Sequence, residues 1–122
     1  MGLFDFIKKK PSLITNLEVC NYAEIYSNEV AEQYCKAGHL EKLYLIGLAF
    51  GGDDSPFNIL YAPKEAVLKK EQIDKELEDL LNQGLHIQYR AFPEYKGNSF
   101  IPSKVIIEVD GDQTFTKEIE IW

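Results

Sequence analysis

Between Pro63 and Gly84 lies the pattern that most restricts how this chain folds: Ile73, Leu77, Leu80 and Leu81 recur at helical spacing, with proline at the entrance and glycine at the exit. Proline's fixed φ suits a first helical position and glycine accepts a left-handed stop, so one helix is expected from Pro63 to about Gln83. Glu65 with Lys69, and Glu71 with Lys75, are i,i+4 pairs in the favourable order, which assigns the opposite side to solvent. A helix with one apolar edge must lay that edge on something.

The residues after Gly84 supply the surface. Leu85, Ile87, Tyr89 and Ala91 alternate with His86, Gln88 and Arg90, the period of a half-buried antiparallel strand. After a loop over 93–102, Val105, Ile107 and Val109 alternate in the same way. Asp110 and Gly111 then give a hairpin signal, and Phe115, Ile119 and Ile121 line a return strand. Upstream, 42–50 is apolar on both alternating faces, which predicts a covered central strand. The segment 51–56 reads as a loop and 57–61 as the partner strand. A first helix is expected over 21–37, from the capping-box pair Asn21 and Glu24 to Gly38, with Tyr22, Ala23, Tyr26, Val30, Tyr34 and Ala37 as its stripe. The order α-β-β-α-β-β-β implies an α+β fold: a mostly antiparallel sheet of about five strands with two main helices on one face.

At 122 residues the chain matches one domain. It is expected to span 11–122, preceded by a short amphipathic segment, 1–10, in which Leu3, Phe4, Phe6 and Ile7 meet Lys8, Lys9 and Lys10. Such a piece buries too little to anchor stably in a bilayer, and no apolar run approaches the ~18 residues of a membrane span. Cys20 and Cys35 follow no secretory pattern, so reduced thiols and a cytoplasmic location are expected. Thirteen basic against twenty acidic residues leave a net charge of −7. That balance argues against nucleic acid, whose binders need cations for the phosphates, and for a partner with a basic surface.

No motif in the chain carries chemistry convincingly. Asp110, Asp112 and Thr114 follow an apolar strand and resemble the nucleophile motif of the haloacid-dehalogenase phosphatases. That family draws its lysine and metal-binding acids from a long doubly wound domain, for which this sequence has no pattern, so a turn is expected. Asp53, Asp54 and Asn58 offer oxygen ligands without calcium-loop spacing. Cys35 and His39 form a single ligand pair where structural zinc uses two. No phosphate-cradling glycine loop or nucleophile elbow is present. The expectation is a non-enzymatic binding protein without metal or cofactor.

Its candidate partner-binding residues are the acids of the predicted hairpin tips, Asp53, Asp54, Asp110 and Asp112, with the ring side chains Phe92, Tyr95 and Trp122 in or beside loops. The alternative is a small-ligand domain or small enzyme with a pocket between loops 51–58 and 93–102, served by Asn58, His86, Arg90 and Tyr95.

One resemblance adds to this reading. Tyr44, Gly51, Gly52, Asn58, Tyr61 and Pro63, the stretch 94–102 and the closing Ile119, Glu120, Ile121 and Trp122 resemble small uncharacterised bacterial domains, some of which are immunity proteins encoded beside polymorphic toxins. The resemblance implies a cytosolic protein that binds and blocks a toxin, often a basic nuclease, and it transfers no catalytic residue.

Overall fold

A computed structural model describes residues 20–122; the segment 1–10 lies outside them. Among the described residues the fold is α+β, with two α-helices and five antiparallel strands. The strands divide into two ladders rather than one sheet: β1 (Glu41–Tyr44) pairs with β2 (Ile59–Ala62), while β3 (Ile87–Tyr95), β4 (Pro102–Gly111) and β5 (Phe115–Glu120) pair in that order. Helix α1 covers Asn28–Lys36 and α2 covers Lys64–Asn82.

Helix α2 forms where its pattern placed it and lays Ala66, Val67, Ile73 and Leu77 against Val105, Ile107, Val109 and Ile119 of the sheet, with Leu43 and Ala62 closing the core. The alternation in β3 and β4 also holds: Val105, Ile107 and Val109 are buried, while Gln88, Arg90 and Phe92 face outward. Strand β3 continues through Pro93, where the sequence pattern suggests a loop. Proline is tolerated there because β3 is an edge strand and needs no ladder hydrogen bond on its open side. A second cluster, Ile25, Ala31, Tyr34, Leu40 and Ile101, fills the space beneath α1.

Two expectations fail for local reasons. The helix over 21–37 is two pieces, a 3-10 turn at Tyr22–Glu24 and then α1. Asn21 caps only the first piece; Ser27 Oγ accepts from Val30 N at 3.2 Å and starts the second, which leaves Tyr26 59% exposed. The strand over 42–50 ends at Tyr44, and the chain turns through a 3-10 segment at Leu48–Phe50. A side chain takes the place of the ladder: Asn58 Oδ1 accepts from Ile46 N at 2.7 Å, and its Nδ2 donates to the carbonyls of Ile46 and Asp53 at 2.9 Å each. The approach is so close that any Cβ on Gly52 would run into the Ile46 carbonyl. The turn after β4 is likewise displaced, since Gly111 remains in the strand and Asp112 makes the corner.

No helix among the described residues is long and apolar enough to cross a membrane.

Candidate functional site

The predicted site residues are scattered over the fold. Asp53 and Asp54 lie on the loop 45–58, and Asp110 and Asp112 lie at the β4–β5 corner. Phe92 stands mid-sheet on the outer face, opposite Ile106. Tyr95 ends β3, eight residues from Ile87 and so about 26 Å away along the strand. They do not form one patch.

Trp122 belongs to the second core. Its Nε1 donates to the Ile101 carbonyl at 3.1 Å, Tyr22 meets its ring edge-on at 6.1 Å, and the Lys96 ammonium stands 5.0 Å from its centroid. That is packing, not a docking ring held out to solvent. Trp122→Ala is expected to cost about 2 kcal/mol, below the range for a fully buried ring because Trp122 is half-buried. Urea unfolding measures it.

The outer sheet face is largely self-neutralised. Arg90 Nη2 donates to Glu108 at 2.9 Å and to Asp110 at 3.0 Å, and Lys104 Nζ reaches Glu118 at 3.2 Å and Glu120 at 3.6 Å. The carboxylates raise the pKa of both cations. These exposed pairs contribute little to stability, because water screens them and two long side chains must be ordered to make them. Asp110 is therefore a salt-bridge partner of β3 rather than a free acid.

Loop 45–58 is different. Its frame is rigid: Asn58 is buried, Leu45 N donates to the Asn58 carbonyl at 3.0 Å, and Asn58 N donates to the Ser55 carbonyl at 2.9 Å. Asp53 Oδ1 accepts from Ser55 N at 3.0 Å, which holds its carboxyl below the ordinary range, and Asp54 accepts from the Tyr44 hydroxyl at 2.7 Å, which raises that phenol. From this frame Phe57 stands 92% exposed, Leu48 59% and Ile46 46%. Sequence reading marked the two acids and missed the three apolar residues; a strand assignment had buried Leu48 and Ile46. Phe57 could have been found, since a phenylalanine directly after Ser55 and Pro56 sits in turn context.

An apolar slot of about 210 Å³ separates this loop from the sheet, lined by Ile46, Phe50, Leu77, Leu81, Ile87 and Tyr89. The Tyr89 hydroxyl donates to the Leu45 carbonyl, and burial pushes that phenol far up. Leu81, expected in the core, is 43% exposed at the slot's rim. Ile87 pairs with Gly111, and Asp112 Oδ2 accepts from His86 N at 2.7 Å. On the other side Asn58 ties the Asp53 carbonyl to that of Ile46.

A groove of about 560 Å³ runs along α2, against β1 and the turn at Leu48–Phe50, with Lys70, Asp74 and Gly47 among its lining and nothing from 51–58 or 93–102. Lys70 is only 2% exposed; its Nζ lies 2.7 and 2.9 Å from the two Asp74 oxygens and 5.5 Å from the Tyr89 ring centroid. Burial lowers the Lys70 pKa and raises that of Asp74, and each partner opposes the other's shift. A Cβ at Gly47 would lie 2.6 Å from Asp74 Oδ2, so the turn rests directly on the carboxylate. The pair clamps α2 to the loop. The groups expected to serve a ligand pocket do not converge: Asn58 is spent on backbone, Arg90 faces outward, His86 is 97% exposed, and Tyr95 is at the far end of β3.

No protein-family model matches the chain, and no curated protein does.

Proposed function

We propose that this chain is a non-enzymatic protein-binding module that docks a partner with a basic surface, as an immunity protein docks its toxin. The observation that carries the reading is loop 45–58, fixed by Asn58 yet presenting Ile46, Leu48 and Phe57 beside Asp53 and Asp54. Holding large apolar residues in water on a rigid frame lowers the ordering cost of association, and such residues near an interface centre carry most of its energy. The acids add long-range attraction. They act chiefly on the encounter rate and on partner choice.

The test is titration against the protein encoded by the adjacent gene, at low ionic strength. Binding at micromolar concentration or tighter is expected; none at that concentration would contradict the reading. In a bound pair, reversing both acids, Asp53→Lys with Asp54→Lys, should lower the association rate about tenfold or more and leave dissociation nearly unchanged. Stopped-flow mixing at two salt concentrations separates the two rates.

A further inference from the structure

We infer that the turn 47–51 is a lid over Lys70 and Asp74, lifting as a unit about a neck tied by Asn58 while the rest of the fold stays closed. The turn spends its backbone hydrogen bonds on itself. Phe50 N donates to the Gly47 carbonyl at 2.9 Å, Gly51 N to that of Leu48 at 3.2 Å, and Gly52 N to that of Gly47 at 3.1 Å. Among the described residues, no backbone hydrogen bond joins 47–51 to α2 or to the three-stranded sheet. The two ends are pinched together: Asn58 holds both backbone groups of Ile46, and Gly52 lies too close to the Ile46 carbonyl to carry a Cβ. Gly51 stands at φ 90°, a conformation glycine enters without strain. A swing about this neck therefore breaks no ladder.

What lies beneath the turn favours lifting. Leu48 and Ala49 are exposed, and Phe50 is the half-buried side chain of the turn, its ring centroid 6.4 Å from that of Tyr89. Gly47 backs onto the Asp74 carboxylate, which with Lys70 forms a pair kept from water, the two being 17% and 2% exposed. Burial lowers the Lys70 pKa and raises that of Asp74, so each charge is better solvated outside than in. Opening gives up one half-buried ring contact and restores water to an ion pair. That costs far less than exposing the core around Leu77 and Ile107. Ile46 stays with the frame and Leu48 travels with the lid. The lifted state is the one in which the Lys70 ammonium meets a solute.

The test measures how fast an amine-acetylating reagent modifies Lys70 in the full chain, read by mass spectrometry at low extents of reaction and fixed pH, over a series of sub-denaturing urea concentrations. Amide hydrogen exchange at Lys70, Asp74, Leu77 and Ile107 is followed in parallel. Lys70 is expected to react far more slowly than the exposed Lys69, at a rate nearly flat in urea, because a small opening exposes little surface. The four amides should stay protected and exchange with the steep urea dependence of global unfolding, which shows α2 intact while Lys70 reacts. Phe50→Ala removes the ring that holds the lid down. It should speed modification of Lys70 about tenfold or more beyond any change at Leu77 and Ile107, the effect of losing one half-buried aromatic contact. A Lys70 rate with the same urea slope as the Leu77 and Ile107 amides overturns the lid, as does a Phe50→Ala variant in which Lys70 reacts no faster relative to those amides.

Discussion

Replacing Asp74 by alanine is expected to destabilise the protein by about 3–5 kcal/mol, because it strands a buried ammonium without its partner. Lys70 has nowhere to go: it is 2% exposed, beneath the turn at Leu48–Phe50 and against the Tyr89 ring. The converse change should be mild. With Lys70→Met the volume is kept and the charge left without a partner is the less buried one, Asp74 at 17% against Lys70 at 2% exposed, so a loss clearly smaller than that of Asp74→Ala is expected. Urea titration of the two variants measures the asymmetry, and equal losses would show that the pair is valued for its mutual attraction instead.

The sign of the pH dependence follows from the same burial. Lys70 is depressed from its ordinary 10.5, so the stability it contributes is complete above that pH and is lost as pH falls through its folded pKa. Asp74 is raised from 3.8, so its contribution is complete below that pH and is lost as pH rises through its folded pKa. Between those two folded values both charges are carried at a cost. A double replacement, Lys70→Met with Asp74→Leu, should therefore gain most over the wild-type protein at neutral pH and less toward either extreme.

Asn58→Ala is the second large effect expected, about 2–4 kcal/mol, since it leaves Ile46 N, the Ile46 carbonyl and the Asp53 carbonyl without the partner that satisfies them. Unlike a core truncation it should act on one segment. Limited proteolysis is expected to cut the variant within 45–58 while α2 and the three-stranded sheet stay protected. Uniform cleavage along the chain would mean that Asn58 supports the whole fold rather than the loop.

Much of this architecture is written in residue periodicity. The helical spacing of α2 and the period of two in β3 and β4 each repeat often enough that no other element satisfies them, and these elements are found where expected, although Leu81 of the α2 stripe lies exposed. What sequence concealed depends on single side chains reaching across the fold. In 42–50 the alternation suits a strand, but Asn58, twelve residues beyond Ile46, substitutes its amide for a ladder and bends the chain. The same bend carries Ile46 and Leu48 to the surface, so the misassigned strand and the overlooked apolar residues have one cause. Lys70 was legible only as one more charge on a helix; its burial follows from where the turn at Leu48–Phe50 comes to rest. Charge alone grouped Asp53, Asp54, Asp110 and Asp112, and geometry separates them, because Asp110 is held by Arg90, Asp112 accepts from His86 N, and Asp53 and Asp54 are held within their own loop region by Ser55 N and the Tyr44 hydroxyl. Trp122 and Tyr95 were drawn in by residue type and lie elsewhere.

The most direct measurement is amide hydrogen exchange of the chain with and without the protein encoded by the adjacent gene. Slowed exchange is expected over 45–58, His86, Ile87 and the corner at 111–114, with no change in β5 or around Trp122. Protection confined to the outer face, at Arg90, Phe92 and Glu108, would place the partner on the wrong side of the sheet and contradict the reading of loop 45–58 as a docking end.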